Sequence, residues 1–255
     1  MEPALEVKDL TVVFHSRHGE VKALDRLNLS VSQGQVFGFL GPNGAGKTTT
    51  MMVLLGFTEP ASGKAEIFGR DCGKSIARQR IGYLPEHPDT YRFLTGRELL
   101  NMTGNLFLME QKGLRRRVSE VLEEVELTEA ADRRIATYSR GMMQRICLAQ
   151  SMINDPDLLI LDEPTGGLDP LGRVKIRNLI SGFRDAGKAV FFSSHELSEA
   201  ELVCDRLAII SRGRIAAEGR VSDMVKTEQN LEKYFMKVIG ETQKQTNPPL
   251  SKGLA

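Results

Sequence analysis

The chain has 255 residues, 41% of them hydrophobic, which suits one large α/β domain or a core carrying an inserted subdomain. Lys+Arg (34) nearly balance Asp+Glu (33), so total charge gives no sign of a nucleic-acid or acidic-lipid partner. The longest apolar stretches, such as Leu158-Leu159-Ile160-Leu161, fall far short of the roughly 20 residues that span a bilayer, so a membrane role has to come through a partner.

In chain order, the N-terminus has no basic region followed by an apolar run and does not read as a secretory signal peptide. Residues 5–10 and 27–31 alternate apolar and polar, as half-buried strands do, with a polar turn at 15–20 between them. The compact apolar run 36–40 predicts a buried strand, followed by a glycine-rich loop and a helix from about 47 to 55. Residues 63–69 read as a strand and 81–84 as a short one ending at Pro85. From 97 to 125 the pattern is helical, with a break near Gly113. There Arg115, Arg116 and Arg117 stand about four residues from Glu120, Glu123 and Glu124, a solvated, salt-bridged helix face. A helix at 140–154, a buried strand at 158–161, a helix at 171–186 and a strand at 189–193 follow. Late strands are expected at 206–211 and 214–217, around a turn at Gly213. This order predicts an α/β core with a predominantly parallel sheet, an N-terminal antiparallel β-subdomain and an inserted helical subdomain. The polar, Pro-containing tail predicts disorder. Cys72, Cys147 and Cys204 form no C-x-x-C pair, which argues against a zinc or redox motif and fits a reducing compartment.

Gly41-Pro42-Asn43-Gly44-Ala45-Gly46-Lys47-Thr48 fits G-x-x-x-x-G-K-[ST] in full, between an apolar strand and a helix, the setting this loop requires. Its glycines let backbone N–H groups point inward at phosphate oxygens. Lys47 is expected to reach the β- and γ-phosphates and Thr48 to place its hydroxyl on Mg²⁺. Thr49 belongs to the first turn of the helix, whose positive end adds to the cradle. The loop indicates a nucleoside triphosphate without saying what its energy is used for. The strand at 158–161 ends in Asp162-Glu163, and strands of such sheets deliver ligand groups at their carboxyl ends. Asp162 is placed to hold Mg²⁺ through water. Glu163, one residue on, is the candidate to polarise an attacking water.

Tyr138-Ser139-Arg140-Gly141-Met142-Met143-Gln144-Arg145 resembles the L-S-G-G-Q signature of ABC ATPases. It departs at Tyr138 for Leu, Arg140 for Gly and Met142 for Gln, and keeps Ser139 and the second Gly, Gly141. Physically, Ser139 suits the N-cap of a helix whose freed N–H groups and dipole form an anion site, which Gly141 lets a phosphate approach. Gly167-Leu168-Asp169 resembles the D-loop, and His195 occupies the switch-histidine place, which implies a γ-phosphate contact. Phe14 resembles the aromatic residue that stacks on adenine, with a buried core phenylalanine as the competing reading. Gly82-Tyr83-Leu84-Pro85-Glu86 resembles the Q-loop with Glu86 in place of the usual Gln. A carboxylate there can still serve Mg²⁺ or its water, and it adds a negative charge. Leu231-Glu232-Lys233-Tyr234-Phe235 resembles the ending of exporter-type members.

Over residues 5–238 the chain thus resembles the ATP-binding proteins of ABC exporters that work with a separate permease. The resemblance implies a single domain over 1–238, with a helical subdomain at about 85–154, a C-terminal extension at about 221–238 and a disordered tail at 239–255. It implies ATP and Mg²⁺ as cofactors and a head-to-tail pairing with a second copy on ATP. It also implies an integral membrane permease as partner, no nucleic acid, and a place on the cytoplasmic face of the cell membrane. The Tyr-Ser-Arg-Gly-Met signature, Glu86 and residues 231–235 favour export. The alternative is a non-transport ABC ATPase that regulates or assembles a membrane complex. Chromosome-organising members carry a long coiled-coil insertion, and no sustained heptads lie between Thr48 and Tyr138.

Overall fold

The structure, a computed structural model, describes residues 2–16 and 19–246. The chain opens with β1 (Leu5–Ser16), β2 (Gly19–Val31), β3 (Val36–Leu40) and α1 (Lys47–Leu54). Then come β4 (Ser62–Ile67), β5 (Arg70–Asp71), α2 (Ser75–Arg78) and β6 (Ile81–Leu84). A helical stretch holds α3 (Gly96–Leu106), α4 (Gln111–Glu124) and α5 (Arg140–Met152). The rest is β7 (Leu158–Asp162), α6 (Pro170–Asp185), β8 (Ala189–Ser194), α7 (Leu197–Val203), β9 (Arg206–Ser211), β10 (Arg214–Arg220), α8 (Val221–Glu228) and α9 (Leu231–Thr246).

Two sheets form. One is antiparallel, in the order β2-β1-β4-β5; the other has six strands in the order β10-β9-β3-β8-β7-β6. In the second, β9 through β6 run parallel and β10 returns antiparallel beside β9. Apolar alternation in β1 buries Leu5, Val7, Leu10 and Val12 in a core shared with Phe37, Phe39, Ile160 and Phe191 of the second sheet. The opposite face of the second sheet, with Val36, Leu40, Leu161 and Phe192, shares another core with helices α3 to α9. A strand buried on both sides has no polar face to present, which is why β3, β7 and β8 read as continuous apolar runs. The order β3-β8-β7 puts the end of β8 between the turn after β3 and the acids that close β7.

Three expectations need correction. The break in the 97–125 helical pattern falls between α3 and α4, where Leu108 takes a left-handed φ of 56°. Gly113 lies inside α4; a single glycine in a helix costs only about 1 kcal/mol and need not end it. Arg116 does face Glu120 (3.4 Å), but Arg117 is no solvated residue: its side chain is 16% exposed and donates to the Met152 carbonyl (2.9 Å) as well as to Glu124 (3.2 Å). The tail does not lose order at 239. Phe235, Val238 and Ile239, at helical spacing, pack on the core, and α9 continues to Thr246; residues 247–255 lie outside the described residues. In addition, β1 and β2 extend into the expected polar turn, pairing Phe14 with Val21 and His15 with Glu20. Among the described residues, no helix is long and apolar enough to cross a membrane.

Candidate nucleotide-binding site

At the end of β3 the chain turns at Gly41, where a Cβ would overlap the Ile210 carbonyl oxygen of β9. Gly46, at φ 113°, leaves no room either: a Cβ would sit 2.9 Å from the Ala23 carbonyl oxygen and 2.7 Å from Leu24. Glycine is required at both points, by close approach at the first and by the left-handed backbone at the second. Lys47 then opens α1 with its side chain buried, and its Nζ donates to the carbonyls of Gly41 (2.6 Å) and Pro42 (3.4 Å). Burial pushes the Lys47 pKa down, against the opposing pull of Glu163, Asp162 and Glu86.

Asp162, the last residue of β7, pairs in register with Ser193 of β8. The Ser193 hydroxyl donates to Asp162 Oδ1 (2.5 Å) and accepts the Glu163 N–H (3.2 Å), so one buried side chain holds both acids. Burial raises the Asp162 pKa; the Ser193 hydrogen bond works against it, Glu86 and Glu163 add to it, and Lys47 opposes it. Glu163 leaves the sheet at φ 50°, a left-handed conformation that costs a non-glycine residue about 1–3 kcal/mol and clusters at functional sites. The carboxylate of Glu163, 8% exposed, accepts the His195 backbone N–H (3.2 Å) and faces His195 Nδ1 at 2.9 Å. The His195 ring itself is 61% exposed.

A cavity of about 710 Å³ gathers residues 42–49 of the glycine-rich loop with Glu86, Asp162, Glu163 and His195. Gly41 contributes from behind, through the carbonyl that holds Lys47. Phe14 does not line this cavity. It is 46% exposed on β1, which excludes the core reading, and its cross-strand partner Val21 lines the cavity instead. Ser139 and Gly141 are also elsewhere. Ser139 caps α5, its Oγ accepting the Met142 N–H (3.2 Å), and both residues border a second concavity with Gly167, Leu168 and Asp169. A Cβ added at Gly141 would meet open space. Arg140 lays its guanidinium over Gly167.

The sequence reading missed Ser193, Arg212 and residues 21–23, all at or beside the cavity. Ser193 did leave a signal: two serines close an otherwise apolar, fully buried strand, and polar groups at the carboxyl end of such a strand face the ligand crevice.

Thr48, Asp162 and Glu86 present hard oxygen donors to one cavity. Among the described residues, no group of three or more His, Cys, Asp or Glu side chains is arranged to hold a metal ion by itself. That donor set fits Mg²⁺, which takes one or two carboxylates and completes its shell with water and substrate phosphates.

The raised Asp162 pKa has a consequence for nucleotide-free protein. A carboxyl whose folded pKa lies above its unfolded value of 3.8 binds more protons folded than unfolded across that window, so stability is lost as pH rises through it. Asp162→Asn keeps an acceptor for Ser193 and removes the buried charge. It should melt higher than the parent at neutral pH, and the gap should close as pH falls to 3.8. Calorimetry across pH without nucleotide checks this; equal melting at neutral pH would contradict it.

Comparison with known proteins agrees with this geometry. The family model described as ABC transporter matches residues 24–166. An uncharacterized ABC transporter ATP-binding protein of Nostoc sp. is 45% identical over 208 residues, 81% of this chain, which spans only 62% of that relative's length. A Nod factor export ATP-binding protein I of Ralstonia nicotianae is 38% identical over 232 residues, 89% of this chain and 70% of that protein. Among solved structures, an ATP-binding subunit of an ABC transporter superposes with a TM-score of 0.82 at 28% identity, covering 92% of this chain and 99% of the other.

Proposed function

The chain belongs to the ABC transporter family of ATP-binding proteins, and on that premise we propose that it binds and hydrolyses ATP to drive a separate membrane permease, in the export direction. The observation that carries the proposal is the single cavity in which a complete phosphate loop meets Asp162 and Glu163, both tied to Ser193.

The phosphates of ATP enter the loop at 41–48 and meet the N–H groups at the start of α1. Lys47 exchanges the neutral Gly41 and Pro42 carbonyls for the charged oxygens of the β- and γ-phosphates. Thr48, Asp162 and Glu86 would hold Mg²⁺, which would neutralise charge on the phosphoryl oxygens. Glu163 orients the attacking water and accepts its proton, fixed in place by Ser193 and His195. His195, with Nδ1 turned to Glu163, offers Nε2 to the γ-phosphate.

Ser139 and Gly141 sit at a helix N-terminus outside this cavity. In the proposed head-to-tail dimer they close over the γ-phosphate bound by the other copy. Hydrolysis removes the group that bridges the two copies, and the dimer opens. The export direction rests on the Tyr-Ser-Arg-Gly-Met signature, the 231–235 segment and the similarity to a protein named for Nod factor export.

The test is affinity purification of Glu163→Gln protein with ATP from native membranes, followed by mass spectrometry. A stoichiometric polytopic membrane protein supports the proposal. Recovery of soluble, ribosomal or DNA-associated partners alone, with good yield of bait, overturns it in favour of a non-transport role.

A further inference from the structure

Helix α6 carries two arginines one turn apart, and both reach to the segment that follows His195. Arg177 Nη1 donates to both carboxylate oxygens of Glu199 (2.8 and 2.7 Å), in the first turn of α7. Arg173 is held at two points. Its Nε donates to the Leu168 carbonyl (3.1 Å), and its Nη1 forms an ion pair, at 2.7 Å, with Oε2 of Glu196, the residue after His195; that oxygen is buried and accepts no hydrogen bond. Both partners are sheltered, with side chains 31% and 19% exposed. Leu168 lies between Gly167, which bears the Arg140 guanidinium, and Asp169, which caps α6 by accepting the Gly172 N–H (2.8 Å).

Side-chain contacts joined by adjacent residues therefore run within one chain. They start at Glu163 and the His195 ring, pass through the Glu196 carboxylate to Arg173, and end at the 167–169 loop and Arg140 beside Ser139. In the dimer proposed above, their first end lies at the γ-phosphate and their last end faces the partner copy.

We infer that Arg173 is a positioning residue that locks the His195 segment to the 167–169 loop, so that one chain's γ-phosphate contact sets the shape of its dimer-facing surface. This rests on the ATP-dependent dimer of the proposed function. A guanidinium suits the task because its fork of donors can hold a carbonyl and a carboxylate at once, which a lysine ammonium does poorly. Arg173 does not line the cavity of the phosphate loop. Its loss should therefore weaken dimer formation and leave ATP binding to the single chain in place.

The experiment uses full-length Glu163→Gln protein, in which ATP persists. Fluorescent-ATP titration reads nucleotide affinity, and sedimentation with Mg²⁺ and ATP reads the dimer dissociation constant. Arg173→Gln removes this ion pair and should raise the dimer constant by roughly tenfold, between the scales of an exposed and a buried ion pair, and change ATP affinity by less than about twofold. Arg173→Lys should fall between it and the parent. Glu196→Gln, which breaks the contact from the other side, should match Arg173→Gln, and the double variant should be no worse than either, as for two ends of one interaction. If Arg173→Gln does not fold, Arg173→Lys and Glu196→Gln carry the same comparison. Parental dimerisation in the Glu196→Gln and folded Arg173 variants, or a fall in ATP affinity as large as the fall in dimerisation, overturns the inference. If the Glu163→Gln parent binds ATP and never dimerises, the dimer itself fails and takes the inference with it.

Discussion

Glu163→Gln protein should bind ATP as the parent does and turn it over about 10²–10⁴-fold more slowly, the range for losing a positioned general base. The amide is nearly the shape of the carboxylate it replaces. It can still accept the His195 backbone N–H, and the Glu163 backbone stays tied to Ser193 through its own N–H. Asp162 keeps its hydroxyl donor, and Lys47 keeps its place in the loop. What disappears is the carboxylate beside His195 to which the proposal gives the water's proton. Single-turnover phosphate release, paired with nucleotide titration, separates the two effects. Unchanged turnover removes Glu163 from the role, and a matching loss of binding makes it a structural residue instead.

Lys47→Ala should lower ATP affinity roughly ten- to hundredfold, corresponding to about 1.5–3 kcal/mol for a hydrogen bond to a charged group. The fold should survive. Lys47 satisfies two backbone carbonyls of its own loop, yet burial lowers its pKa, so the charged amine is uncomfortable there without phosphate. The loss is therefore expected in ligand binding more than in stability. Calorimetric titration of ATP into folded Lys47→Ala protein measures the loss, and parental affinity would contradict the role assigned to the amine.

Much of this architecture is legible in the residues. Strands at 36–40 and 81–84 match β3 and β6 residue for residue, because continuous apolar runs with glycine or proline beyond them leave little choice of boundary. The phosphate loop is equally readable, since Gly41 and Gly46 meet steric demands that only glycine satisfies. The part that could not be read depends on contacts between distant segments. Ser193 joins Asp162 across a β7–β8 register that brings together residues 31 positions apart. Leu108 ends α3 through a left-handed backbone that its residue type does not advertise. Phe14 and Val21 share a hairpin, and only the pairing of β1 with β2 decides which of them borders the cavity. In the tail, abundant polar residues obscure the apolar spacing of Phe235, Val238 and Ile239. Arg173 gave no signal at all, since nothing local marks an arginine whose partners are a carbonyl five residues earlier and a carboxylate beyond the next strand.

Ser139 and Gly141 lie apart from the phosphate cavity, so they reach a bound γ-phosphate only in a second copy of the chain. Multi-angle light scattering of Glu163→Gln protein, with and without Mg²⁺ and ATP, tests that pairing most directly. The protein should be a monomer without nucleotide and double its mass with it. Protein that demonstrably binds ATP and remains at the monomer mass would contradict the pairing.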